Sequence, residues 1–298
     1  MFTGCGTALV TPFQPDGSLD ESAFRSLVHR QIEAGIDFLV PCGTTGESPT
    51  LSRHEHLRIV ELTIQEAQGK VPVLGGAGGY HTAEVIELGR ELHKLGADGI
   101  LSVTPYYNKP TQEGLYQHYK AIAAAVPLPI IVYSVQGRTS CNVEPATLQR
   151  LAEIDNIVGV KEASGNIGQM ASVIHHVPAS FLVLSGDDAI TIPLIALGGK
   201  GIISVVSNEI PREMAQLARF ALANDFAAAR EIQRKYFPLM EINFVESNPQ
   251  PVKAAMAMMG LLQPVWRLPM VPPSEGSRAK IQKVLESLQL TARSLHAS

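Results

Sequence analysis

Eight short apolar runs, each followed by a longer amphipathic stretch, constrain this 298-residue chain more than any other feature. They fall at Thr7 to Thr11, Phe38 to Cys42, Val71 to Gly75, Gly99 to Thr104, Pro129 to Ser134, Ile157 to Lys161, Phe181 to Ser185 and Gly201 to Val206. Runs this short, apolar on consecutive positions, read as strands buried on both faces of a parallel sheet. Between them apolar residues recur at three- and four-residue steps, as in Glu21 to Ala34, Glu55 to Ala67, Ala83 to Leu95, Glu113 to Ala125 and Pro145 to Ile154. That is the helical period. Ser52 and Glu55 have capping-box spacing, Thr111 precedes Glu113, and Pro145 suits a first turn. Gly35 and Gly96 stand where helices should stop.

Right-handed crossovers lay each strand beside the last, so eight strand–helix units without a composition break predict a closed (β/α)8 TIM barrel. An open doubly wound sheet is the alternative. It normally carries a glycine-rich phosphate turn after its first strand, whereas the first strand here ends Thr11-Pro12-Phe13. Helical stretches then follow at Pro211 to Leu222, Phe226 to Ile242, Pro251 to Leu261 and Glu275 to Leu290. The first completes a barrel domain over residues 1–224. The others form a C-terminal helical region, 225–298, packed on the barrel with no linker to free it.

Hydrophobic residues make up 45% and charged residues 17%, enough for a large core. A net charge of −4 and the lack of a basic run argue against nucleic acid or an anionic membrane as partner. Cys5, Cys42 and Cys141 are scattered, with no CxxC spacing, so neither a disulfide framework nor a metal site is expected. Reduced thiols, no signal-peptide pattern in Met1 to Gly6 and no span-length apolar run suggest a cytoplasmic protein.

The sixth run carries the chemistry. Asn156-Ile157-Val158-Gly159-Val160-Lys161-Glu162-Ala163-Ser164-Gly165 places a lysine at the closing end of a buried strand. An enclosed ammonium loses hydration, which lowers a lysine's pKa and favours the neutral amine that attacks a ketone. The ordinary alternative is a strand-end lysine reaching solvent. Barrels keep their chemistry at the C-terminal ends of the strands. Those ends here read Gly43-Thr44-Thr45-Gly46-Glu47, Thr104-Pro105-Tyr106-Tyr107-Asn108, Tyr133 with Gly137-Arg138-Thr139, Lys161, and Gly186-Asp187-Asp188. Singly, each has a structural reading: a turn, a rim aromatic, a loop arginine, a helix cap. Together they supply an amine nucleophile, a proton-shuttling phenol, hydroxyls to orient it, and a two-pronged cation for a carboxylate.

These motifs, together with Lys109-Pro110 after Asn108, resemble the dihydrodipicolinate synthase family of pyruvate-dependent class I aldolases, and the resemblance covers essentially the whole chain. It implies that Lys161 forms a Schiff base with pyruvate and that the resulting enamine attacks L-aspartate 4-semialdehyde, on the route to diaminopimelate and lysine. No separate cofactor is implied. Tyr133 would be the general acid/base, relayed through Thr44 and Tyr107, the latter entering a neighbouring subunit's site. Thr45, Arg138 and Ile203 would bind substrates, Arg138 taking the semialdehyde carboxylate. A homotetramer built as a dimer of dimers is implied, and so is a lysine-regulatory site at Ser48, His56, Glu84 and Tyr106.

The chain departs from the family in places. Tyr133-Ser134-Val135-Gln136 stands where Tyr-Asn-Val-Pro is common, so the loop carrying Arg138 loses a proline's φ restraint. Gln250 replaces an aliphatic residue, and Arg53 and Tyr80 replace a histidine and an asparagine of lysine-regulated relatives. Related activities on the same scaffold are N-acetylneuraminate or 2-keto-3-deoxy sugar acid aldolase, or a keto-acid binder without catalysis. Leu74-Gly75-Gly76-Ala77-Gly78-Gly79 lacks the Walker lysine and reads as close backbone approach. His54-Glu55-His56 has the wrong spacing for zinc. Met256, Met258 and Met259 read as core packing.

Overall fold

A computed structural model describes residues 1–292; the last six residues of the expected C-terminal region, 293–298, lie outside it. Among the described residues, eight parallel strands alternate with helices. The strands are β1 (Gly4–Ala8), β2 (Phe38–Val40), β3 (Leu74–Gly76), β4 (Gly99–Val103), β5 (Ile130–Ser134), β6 (Ile157–Glu162), β7 (Leu182–Ser185) and β8 (Gly201–Ser204). The barrel helices are α1 (Glu21–Glu33), α2 (Arg53–Ala67), α3 (Thr82–Leu95), α4 (Gln112–Ala125), α5 (Gln136–Thr139), α6 (Pro145–Leu151), α7 (Ile167–His176), α8 (Thr191–Ala196) and α9 (Pro211–Leu222). After them come α10 (Phe226–Ile242), α11 (Gln250–Met258) and α12 (Glu275–Ser287). The sheet runs β2-β1-β8-β7-β6-β5-β4-β3 and closes where Leu39 bridges Val73. The Gly76 N–H donates to the Pro41 carbonyl across that seam at 3.0 Å. This is the expected (β/α)8 TIM barrel with appended helices.

The first strand lies three residues earlier than its apolar run suggests. Its two glycines lie outside that run, and each is forced by packing. A Cβ on Gly4 would lie 2.3 Å from the Asp37 carboxylate, and one on Gly6 would lie 2.1 Å from the Phe38 ring. The third strand, by contrast, starts later than its run suggests, because the Val73 N–H donates to the Asp98 carboxylate at 2.8 Å. Helix starts follow their signals: Ser52 and Glu55 form the capping box of α2, and Thr111 caps α4. Gly35 and Gly96 take positive φ values of 82° and 92° just past helix ends, where a Cβ would be strained. The glycine-rich third rim loop is close backbone approach, since a Cβ on Gly76 would lie 2.0 Å from the Cys42 carbonyl oxygen.

Phe2, Phe38, Leu74, Leu101, Ile131, Tyr133, Leu184 and Ile203 belong to the cluster that fills the barrel interior. A larger cluster fills the space between strands and helices. Val252 and Met256 of α11, and Leu262 in the segment after it, pack on Val10, Leu27 and Val205 of the barrel. Among the described residues, no helix is long and apolar enough to cross a membrane.

Candidate active site

β5 and β6 set the centre of the site by register, with Tyr133 opposite Lys161. Both side chains are buried, at 6% and 5% exposure, so Lys161 does not reach out to solvent. Its Nζ lies 4.2 Å from the centroid of the Tyr133 ring. Lys161 takes part in none of the ion pairs among the described residues, so no carboxylate occupies its amine. Gly186, at the end of β7, leaves room for the lysine: a Cβ there would come within 3.1 Å of Lys161 Cε. A cavity of about 140 Å³ opens over this pair, lined by Thr44, Thr45, Arg138, Asp187, Phe244 and Asn248 among others.

The turn after β2 brings the paired threonines to this cavity. Thr45 is buried, and its Oγ1 accepts a hydrogen bond from Asn248 Nδ2 at 3.0 Å. Arg138 lies on α5, a single helical turn after β5, and its Nη2 donates to the Asn248 carbonyl at 3.1 Å. Thr139 fastens that turn: its Oγ1 donates to the Cys141 carbonyl at 2.9 Å and accepts from Thr104 Oγ1 at 3.2 Å. Ile203 is fully buried on β8 inside the barrel. Tyr107 does not join Thr44 and Tyr133 within one chain. It sits outside the cavity at 93% exposure, with a positive φ of 69°.

A larger cavity of about 320 Å³ shares Thr44, Tyr133, Val135 and Arg138 with the first and extends to Ser48, His56 and Tyr106. His56 donates from Nε2 to the Gly76 carbonyl at 2.8 Å, and burial lowers its pKa, so it is a neutral donor. Tyr106 packs edge-on against Tyr80 at 5.1 Å, and burial raises its phenol pKa, with Tyr80 and Glu84 adding to the shift. Glu84 does not line the cavity. It pairs with His81 at 3.0 Å on the outer face of α3.

Sequence reasoning missed two supports. Asn248 holds both Thr45 and Arg138, and its own Oδ1 is buried without a partner. Lys253, enclosed on α11, forms an ion pair with Glu47 at the end of the threonine turn. A lysine in the apolar stretch Pro251-Val252-Lys253-Ala254-Ala255 was the available signal.

A model of the dihydrodipicolinate synthetase family matches residues 1–288. The chain belongs to that family. It is 55% identical over 282 residues to a 4-hydroxy-tetrahydrodipicolinate synthase of Koribacter versatilis, covering 94% of each chain. The crystal structure of the dihydrodipicolinate synthase of Thermotoga maritima superposes with a TM-score of 0.95 at 46% identity, covering 97% of this chain and 99% of that one. The chloride-inhibited family enzyme of Acinetobacter baumannii, solved with pyruvate, gives a TM-score of 0.96 at 43% identity, over 97% and 100% of the two chains. The barrel and whole-chain resemblance expected from the sequence are thus borne out.

Proposed function

We propose that this chain is a lyase that condenses pyruvate with L-aspartate 4-semialdehyde; its Koribacter relative is named for the product, 4-hydroxy-tetrahydrodipicolinate. The observation that carries the reading is the enclosed pairing of Lys161 with Tyr133 at the barrel mouth. The lysine amine adds to the pyruvate ketone and water leaves, giving a Schiff base; loss of a methyl proton gives an enamine, whose carbon bonds to the aldehyde carbon of the second substrate. Each step moves a proton, and Tyr133, whose ring centroid lies 4.2 Å from the amine, is the phenol that carries it. Thr44 and Thr45 orient the phenol and the pyruvate carboxylate, and Arg138 takes the carboxylate of the semialdehyde as a planar two-pronged donor. The cofactor role falls to Lys161 itself.

Tyr107 completes the proton relay only from a neighbouring copy, so we propose a homotetramer built as a dimer of dimers, acting in the cytoplasm. Ser48, His56 and Tyr106, with Glu84 nearby, are proposed to take free lysine; an activity curve that stays flat up to millimolar lysine rejects this. The primary test is borohydride reduction with pyruvate followed by mass measurement. A mass gain lost in K161A supports the Schiff base, and an unchanged mass rejects it. An assay comparing aspartate semialdehyde with sugar acids then identifies the acceptor; turnover of only the sugar acids overturns the reading.

A further inference from the structure

Glu209 follows the 3-10 turn after β8, and Asn243 closes the C-terminal end of α10. Both are fully buried. Asn243 Nδ2 donates to Glu209 Oε2 at 2.5 Å. The other carboxyl oxygen, Oε1, and the amide oxygen of Asn243, Oδ1, are each buried with no hydrogen-bond partner. An ionised carboxylate only accepts hydrogen bonds, so it can never satisfy the amide oxygen. One proton on Oε1 supplies the missing donor and removes both deficits together.

The charges around the pair favour that proton. Arg30 of α1 gives its guanidinium to the backbone carbonyls of Asn208 and Glu209 rather than to the carboxyl. Glu213 of α9 acts on the same arginine. Asp188, in the turn after β7, adds negative charge, and Lys253 of α11 is committed to Glu47. Burial, helped by Asp188, raises the Glu209 carboxyl well above its usual range, against the opposing pull of Asn243 and Arg30.

We infer that Glu209 is protonated in the folded protein and forms a reciprocal carboxylic acid–carboxamide pair with Asn243, a pH-sensitive latch on the C-terminal wall of the site. The chain running on from Asn243 reaches Phe244 and Asn248, both of which line the cavity over Lys161. The latch therefore fastens that wall to the barrel turn after β8. This inference stands independently of the proposed reaction.

The folded protein holds a proton that the unfolded chain releases near the ordinary glutamate value. Stability from the latch is thus complete at acid pH and is lost as pH rises towards the folded value. E209Q retains a donor and an acceptor towards Asn243 without a titrating proton. Melting temperatures of the whole protein and of E209Q, compared from about pH 6 to about pH 9, should diverge with rising pH, E209Q becoming the more stable. Infrared spectra near neutral pH should show a protonated-carboxyl stretch that E209Q lacks. A pH-independent difference in melting, an E209Q protein that is unfolded or less stable at neutral pH, or identical carboxyl bands would each overturn the latch.

Discussion

Replacing Lys253 with methionine tests whether the threonine turn rests on a buried ion pair. Lys253 and Glu47 both have side chains at 0% exposure, so solvent does not screen their attraction. The Lys253 ammonium lies 4.4 Å from the centroid of the Phe13 ring, and burial lowers its pKa while Glu47 opposes the shift. Without the lysine, the Glu47 carboxylate keeps only the Arg267 backbone N–H, at 3.3 Å. Removing one partner of a buried pair costs about 3–5 kcal/mol, because the other charge is left uncompensated. At about 2–4 °C per kcal/mol for a domain of this size class, K253M should melt roughly 6–20 °C lower. Removing both charges is far milder, so E47Q/K253M should recover to within about 2 kcal/mol of the parent. Calorimetry on the two single variants and the double variant closes the cycle. Because Glu47 ends the Thr44–Thr45 turn, K253M should also raise the KM for pyruvate. A K253M protein within about 1 kcal/mol of the parent, or a double variant showing the plain sum of the singles, refutes the reasoning.

Y133F should lower kcat by about 10²–10⁴-fold while borohydride still traps pyruvate on Lys161, since proton transfer and nucleophile are separate roles; unchanged turnover would remove Tyr133 from the proposed mechanism. Q136P should raise stability by about 0.4–1 kcal/mol, because position 136 is the first residue of α5, where proline is tolerated. If loop rigidity limits semialdehyde binding, that KM falls as well, and an unchanged KM shows that it does not. Asp188 is pushed up from 3.8 to about 6, mainly by burial, against hydrogen bonds from Ser204 and the Val205 and Val206 amides. A raised carboxyl favours the folded state in acid. Its contribution, about 3 kcal/mol at 1.36 kcal/mol per pH unit, should vanish as pH climbs from about 4 to about 6. Urea unfolding of D188N should lack that slope; an identical slope would rule Asp188 out as its source.

The strands and helices were legible because their signals are local. Apolar runs, the Ser52–Glu55 box and the two helix-ending glycines each act within a few residues, and the structure reproduces them. The apolar run places the first strand three residues late because the reason for Gly4 and Gly6 lies in Asp37 and Phe38, which only the folded sheet brings near. The Lys161 and Tyr133 motifs were readable too, since strand-end positions of a barrel converge by topology. Tyr107 was readable as a motif, while its place outside this chain's own cavity was implied by the family resemblance and by no local pattern.

The sequence alone determined the barrel, its order of elements and the chemical inventory at the rim, since hydrophobic period and turn chemistry are properties of neighbouring residues. Tertiary structure alone decided what holds that inventory in place. Asn248 meets Thr45 across 203 residues, Lys253 meets Glu47 across 206, and Asn243 meets Glu209 from a different helix. No local pattern encodes such partners. Each is selected because a polar group enclosed by the finished core must find a complement or be lost to water.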